Sequence, residues 1–575
     1  MRRTALALLA VAALALAAPL PIRAEGEDDP LAGLSAAKAL ETVKVLAAPA
    51  TKGRRTGTDG GRFAEDWVQS VMGELALDPM DGEGIYLHTF TYGAKDVVAP
   101  IAVSIDGKAL AYRTDFTELT YTGDGTVEAE VVFVGYGISA KDRGWDDYDG
   151  VDVKGKVVLA IRGAPTSREG DFAQERLIGW KSAFAASRGA AAFLLVEGAS
   201  PVAGGTLQER YHRPALPAVW ISTAAADRAL AKKGATLDTL RRARDAGDPG
   251  RSFATGTTAR VEVHGRFAPS AQARNLLGGF HGRDPDLRGE VVVVGAHLDH
   301  LGVDPTGAVY PGADDNASGV AVILELARTL RANRWKPPRT VVFCAFAGEE
   351  QGLVGSRRLV AELPFPHDAV VAMLNVDAVG VGKPEVAAGG REAHPAFWAR
   401  SLARVPGGTA VLTPFRAEPS SDHWPFLEHG IPALFFRTNG DHPAYHTPAD
   451  TADTVKSEVL EAAARAVGRV LVSVVEDPAS YEAAKLLPER LLTEGPRVVE
   501  GAVPAKAVLD WLEAGSVDGG AKGASAAAGL RETLERSGWT AVALPVDLGQ
   551  GDAAAAWGRL AGLAKGREKL SLIHI

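Results

Sequence analysis

A single cysteine, Cys344, stands in a chain of 575 residues, so neither an intramolecular disulfide nor a cysteine-ligated zinc site can form. Any metal must be held by histidine and carboxylate. Basic residues are not in excess. The 62 lysines and arginines face 71 acidic residues, a net charge of −9, which leaves no overall basic footprint for nucleic acid. No stretch beyond the N-terminus is apolar over the length a membrane span needs. There is no G-x-S-x-G elbow, so a serine hydrolase lacks its usual nucleophile signature. No internal repeat is present either. What remains is ordinary folded-protein composition, 46% hydrophobic and 23% charged, which excludes a mainly disordered chain. At roughly 150 residues per domain, the length suggests about three or four domains.

The N-terminus reads as an export signal over residues 1–24. Arg2 and Arg3 form a basic start, an Ala/Leu run follows to Leu20, and Ala24 is the cleavage position before an acidic stretch. The run falls short of the roughly 20 residues of a spanning helix, and no cysteine follows it to accept a lipid. The expected location is periplasmic or secreted, with no membrane contact after cleavage.

Residues 35–47 read as a helix capped by Ser35 and stopped by Pro49. Ala64, Trp67, Val68, Val71 and Leu75 mark a second, amphipathic one. The glycine-punctuated segment 53–58 between them reads as a loop. From about Val97 short β runs appear at 131–137, 156–161 and 192–196, with one helical stretch at 176–188. They imply a compact β-rich insert over 97–267. Beyond Asn275 the pattern becomes strand, helix, strand. The runs 291–296, 341–347, 370–374 and 431–436 are continuously apolar, as suits strands covered on both faces. Val320, Ile323, Leu324 and Ala327 give the intervening helix a core-facing stripe. The expected fold is an α/β three-layer sandwich with a mostly parallel central sheet, built discontinuously from 25–96 and 268–478. Residues 479–575 read as an extension of unknown fold. It has candidate helices at 508–512 and 530–534 and an apolar end that reads as an incomplete element.

Chemistry-bearing residues gather at the carboxyl ends of the expected strands. His297-Leu298-Asp299-His300 follows the first. In an extended segment positions i and i+2 share a face, so Asp299 is placed to fix the second ring nitrogen of a ligating His297. Pro311 to Gly319 reads PGADDNASG, directly before the striped helix. Acids there serve as N-caps, but two carboxylates beside a histidine-bearing strand end repel unless a cation neutralises them. Glu349-Glu350 ends the second run. Adjacent side chains diverge, so one can bind metal while its neighbour faces the reacting water. Asp377 follows the third run, and Tyr445-His446-Thr447-Pro448-Ala449-Asp450 follows the fourth. Together they mark a ligand site, because open α/β sheets bind ligands at those ends.

With these motifs in this order, the chain resembles the double-zinc exopeptidase family, which includes leucyl-type aminopeptidases, glutamate carboxypeptidase II, glutaminyl cyclases and a noncatalytic transferrin receptor ectodomain. The resemblance covers about residues 35–475. It implies two zinc ions: His297 and Asp377 on one, Glu350 and His446 on the other, with Asp315 bridging. It implies Glu349 as general base and Tyr445 as a group that polarises the scissile carbonyl. A cis peptide between Asp315 and Asn316 is also implied. Ser421-Asp422-His423, Phe426 and the run GIPALFF resemble the substrate-side loop. VVFVGYGI, DYDGVDVKGKVVL and the helix carrying Lys181 resemble a protease-associated domain, which has no catalytic residues of its own and reads as an access-limiting lid or a passive spacer. A nitrogen and oxygen donor set with a bridging carboxylate suits paired zinc. His300 and His442 stay open between supporting the ligands and a plain polar loop role, and the other histidines are unassigned. Cys344, within an apolar run, reads as a small core residue.

The implied activity is that of an exported zinc-dependent aminopeptidase, removing N-terminal residues from peptides with a water held between two metals. A carboxypeptidase-like or glutaminyl cyclase-like relative is the enzymatic alternative. A binding protein that kept the fold without the chemistry is the other. An N-terminal amine needs a carboxylate-rich cleft and a C-terminal carboxylate an arginine cluster, for which Arg416 and Arg437 are the candidates.

Overall fold

Two capped helices open the structure. Ser35 caps α1 (Ala36–Leu46), its hydroxyl accepting from the Lys38 N–H, and Thr58 caps α2 (Asp59–Glu74), accepting from Gly61 N–H. The structure, a computed structural model, describes residues 29–477 apart from 120–121, 197–215, 249, 367–368, 404 and 406–412, together with the paired pieces Val503–Pro504 and Ala541–Val542. The export segment at 1–24 and the helices expected at 508–512 and 530–534 lie outside the described residues.

The chain then enters β1 (Leu87–Ile105), a strand of 19 residues. The insert follows with β2 (Phe116–Glu118), β3 (Asp124–Phe133), β4 (Val157–Ile161), α3 (Ile178–Ser187), β5 (Ala192–Val196), β6 (Ala218–Ile221), α4 (Thr223–Leu230) and α5 (Leu237–Asp245). Strands β3, β4, β5 and β6 pair in parallel, and β2 closes that edge antiparallel to β6. Their apolar faces make two clusters of their own, one under α4 and α5, the other under α3.

The return strand β7 (Phe253–Phe280) is 28 residues long and runs antiparallel to β1. Its first part pairs with β3 of the insert, and its last residues, 276–280, pair with the peptidase-side sheet. The expected insert limits at 96/97 and 267/268 fall inside these two strands, near the partners Asp96 and Arg266. Here the ribbon is wet on both faces, with residues 266–270 exposed. The expected domain limits therefore lie within paired backbone.

The main sheet continues through β8 (Val291–His297), α6 (Gly319–Ala332), β9 (Thr340–Phe346), α7 (Val354–Ala361), β10 (Val370–Val376), β11 (Lys383–Gly389), α8 (Pro395–Ala403), β12 (Thr413–Phe415), α9 (His423–Glu428), β13 (Ala433–Asn439) and α10 (Ser457–Val475). Its order is β12-β11-β13-β10-β8-β9-β7. The four strands β13, β10, β8 and β9 are parallel, and antiparallel partners flank them. Every residue of β8, β9 and β10 is buried. Alternation sends Val292, Val294 and Ala296 into a core shared with α1, α2, α6 and α10. Val291 and Val293 face the other way, against Leu359 of α7 and Phe426 of α9. The result is a three-layer α/β sandwich with a mostly parallel sheet, as the apolar runs require. Cys344 is buried in β9, where burial pushes its thiol well above the usual range, so it is a core residue. Among the described residues no helix is long and apolar enough to cross a membrane.

Candidate metal centre

The parallel strands deliver their carboxyl ends to one place. His297 is the last residue of β8, and its Nδ1 lies 3.0 Å from the Asp299 carbonyl oxygen. That contact fixes the ring's orientation and leaves Nε2 bare for a ligand role. The support thus comes from the Asp299 main chain, because its carboxylate is 4.0 Å away and accepts instead from the Glu349 N–H at 3.0 Å. Burial, with the Glu350 charge adding, raises the Asp299 carboxyl to about 6.

Around His297 the donors form two groups sharing one carboxylate. Asp315 Oδ1 is 3.2 Å from His297 Nε2, and Asp377 Oδ1 is 3.3 Å from that same nitrogen. Asp315 Oδ2 is 2.9 Å from His446 Nε2, which lies 3.3 Å from Glu350 Oε1. Within each group the ligand atoms lie within 4.8 Å of one another. Burial opposes protonation of His297 and His446, yet the adjoining carboxylates outweigh it and hold both imidazoles well above their ordinary pKa. The protein alone therefore pulls positive charge into the centre. Buried Asp315 Oδ2, Glu350 Oε1 and His446 Nε2 have no hydrogen-bond partner. Unpaired polar atoms of this kind cost about 1–3 kcal/mol each, and a cation would satisfy all three. Nitrogen and oxygen donors in this arrangement fit zinc.

The turn that carries Asp315 is held at every position. Asp314 accepts from Gly380 N–H and lies 3.2 Å from His442 Nε2. Asn316 donates to the Val376 carbonyl at 2.9 Å and accepts from Gly319 N–H at 2.9 Å. A Cβ on Gly319 would sit 2.3 Å from Asn316 Oδ1, so glycine is required there. The Asp315–Asn316 peptide is cis. Asp450, fully buried, accepts from the backbone N–H groups of Asp314 and Asp315 at 2.9 and 3.1 Å. His442 thus belongs to the support of this turn. Behind Asp377, Ser421 donates to Oδ2 at 2.6 Å and itself accepts from Asn375 at 2.7 Å.

Two expectations change here. Ser421, Asp422 and His423 do not line an open substrate face. All three are fully buried, His423 stacks on Phe435 with ring centroids 4.9 Å apart, and burial lowers its pKa to about 3. The segment braces Asp377 from behind, because the apolar β13 and Phe426 bury it. Segment 53–58, in turn, contains the centre's main clamp. Arg54 is 1% exposed and donates to the carbonyls of Leu298 (2.9 Å), Leu46 (2.8 Å), Gly312 (2.7 Å) and Pro311. Burial lowers its pKa to about 10, with the nearby carboxylates opposing, so it stays charged at neutral pH. Replacing it with methionine strands those carbonyls. Arg54→Met is expected to lower the unfolding free energy by at least about 3 kcal/mol. Arg54→Lys should recover only part, since an ammonium lacks the planar fork. Chemical denaturation checks this, and a loss below about 1 kcal/mol in the methionine variant would show the clamp to be dispensable.

Glu349 joins neither donor group. It is buried, and burial with the charges of Glu350, Asp422 and Asp377 pushes its carboxyl well above the usual range. Tyr445 is 52% exposed and stacks on His446, ring centroids 4.0 Å apart. Arg437 stacks on Phe415, while His212 and His367 lie outside the described residues.

Comparison with known proteins agrees with this architecture. The profile of Peptidase family M28 matches residues 275–471, and that of the PA domain matches 124–229. The probable leucine aminopeptidase of Arthroderma otae is 31% identical over 193 residues, which cover 32% of this chain and 54% of that protein. The chain thus matches about half the length of that curated relative. Among solved structures, the aminopeptidase from Aneurinibacillus sp. strain AM-1 superposes with a TM-score of 0.59 at 23% identity, covering 79% of this chain and 99% of the other. BSAP, a zinc aminopeptidase from Bacillus subtilis, gives 0.55 at 22% identity over 78% and 97%. These likenesses establish the fold. The match to the Peptidase family M28 profile falls on the strands and loops that build the centre, and the match to the PA domain profile falls on the inserted β-rich segment, so the chain is similar to this family over its peptidase part.

Proposed function

We propose that this protein is an exported, zinc-dependent aminopeptidase that removes N-terminal residues from peptides. The observation that carries the reading is Asp315, one oxygen of which faces each donor group. Two ions would be held, one by His297, Asp315 and Asp377, the other by Asp315, Glu350 and His446. Once bound, they supply Lewis acidity to the scissile carbonyl and to the attacking water. The rest is the work of side chains. Glu349, buried beside the donors and joining neither group, takes the proton of the attacking water on its carboxylate and returns it to the leaving amine. Tyr445, half-exposed over His446, donates its hydroxyl hydrogen to the carbonyl oxygen. The names of the relatives, a leucine aminopeptidase and a zinc aminopeptidase, support the same chemistry.

The carboxylate-rich centre suits a free α-amine. A C-terminal carboxylate would need a guanidinium group at the centre, whereas Arg54, the buried arginine beside it, is committed to backbone carbonyls. The test is a kinetic panel on the full chain loaded with zinc. Aminoacyl-anilides and C-blocked dipeptides are expected to be hydrolysed and N-acetylated dipeptides to resist. The reverse pattern would make it a carboxypeptidase. Ammonia released from an N-terminal glutaminyl peptide, with the pyroglutamyl residue left on an uncut chain, would make it a cyclase, and metal uptake without any turnover a binding protein.

A further inference from the structure

His300 occupies a place in the centre that the aminopeptidase reading leaves without a task. Its side chain is fully buried, and neither ring nitrogen has a hydrogen-bond partner. Nδ1 is 2.9 Å from Glu350 Oε1, near enough to bond but not aligned for it, and 3.6 Å from Asp315 Oδ2, beyond bonding distance. The backbone makes room for the ring. A Cβ on Gly312, at φ +60, would meet His300 Cγ at 2.4 Å. His300, Asp315, Glu350 and His446 offer ligand atoms that all lie within 4.8 Å of one another.

Resting on the two-metal reading above, we propose that His300 is a fourth protein ligand of the Glu350/His446 site. The two sites are then unequal. The Asp377 side offers one nitrogen and two carboxylates, and the His300 side two nitrogens and two carboxylates. Four protein donors close a tetrahedral zinc, as in sites that hold the ion permanently, while three leave a position open for water or substrate. Nitrogen donors also favour zinc, cobalt and copper over the harder cations. The His300 side therefore loads first and holds its ion longer. The Asp377 side carries the exchangeable ion and the open coordination position.

The full chain, stripped of metal by chelation, is titrated with Cu2+ and with Co2+. At one equivalent of Cu2+, electron-spin-echo spectra of the unmodified protein should show two coupled imidazoles. A single imidazole would overturn the assignment without any variant being needed. The Co2+ titration should show two steps, the first tighter. His300→Ala should weaken that first step by about a hundredfold or more, beyond what loss of a supporting contact brings. His300→Asn keeps an N–H for Glu350 but lacks the imidazole, and should fall with the alanine variant. If it binds like the parent, His300 is only a hydrogen-bond donor and the proposal fails. If the unmodified protein takes up no metal at all, the two-metal reading itself fails, which is a different result.

Discussion

Glu349→Gln should cut turnover at least a hundredfold while leaving zinc content, folding and peptide affinity near those of the parent. The structure separates the paired glutamates: Glu350 Oε1 lies among the ligand atoms, and Glu349 belongs to neither group. Burial and neighbouring carboxylates push the Glu349 carboxyl well above the ordinary range in the metal-free protein. Glutamine preserves the shape and cannot accept a proton. General acid–base catalysis contributes about 10²–10⁴-fold, and the loss should appear in kcat with KM changed by less than about tenfold. Steady-state kinetics with metal analysis decides the matter. A variant that turns over normally, or one that loses zinc, would mean that the roles of the two residues are exchanged.

Asp315→Ala should remove both ions and all measurable activity, a larger effect than any other single ligand change. Asp377→Ala or His446→Ala takes a donor from one group only, while Asp315 serves both. Exhaustive chelation of the parent should have the same functional result, reversed by zinc. It should also lower the melting temperature by on the order of 10 °C, because binding at concentrations far above Kd stabilises the native state by about 4 kcal/mol. Without cations the carboxylates of Asp315, Glu350 and Asp377 repel one another. Elemental analysis and calorimetry on the same samples give both readings. A fully active, metal-free enzyme would sink the assignment of this centre.

The strands and their chemistry were legible because each motif is local. Runs such as 291–296 and 341–347 are apolar on both faces; His297 ends its strand, Asp377 follows one directly, Glu350 comes shortly after another, Asp315 precedes a helix, and His446 sits in the loop after the last. What could not be read is what acts at a distance. Arg54 reaches Leu298 and Gly312 across more than two hundred positions, and nothing in a glycine-rich segment announces that its guanidinium will be buried. Ser421 and Asn375 bracket Asp377 from separate elements. Asp450 stood in a motif that was noticed for Tyr445 and His446, yet its partners are the amides of Asp314 and Asp315. His300 was ambiguous for another reason: three positions past His297, an extended segment would send it to the other face, yet its Nδ1 lies 2.9 Å from Glu350 Oε1.

The wet middle of the long β1/β7 ribbon makes the PA domain a removable part. Lys95 and Phe267 face each other as partners, as do Asp96 and Arg266. Antiparallel partners lie about 4.5–5.5 Å apart at Cα, a gap that a two-residue Asn-Gly turn spans. Excision at that seam shortens the ribbon to an ordinary hairpin. The pairing of 273–276 with 87–90, and of 276–280 with β9, stays intact beneath it. The peptidase core would keep its edge, so any influence of the insert on substrate choice can be measured by subtraction.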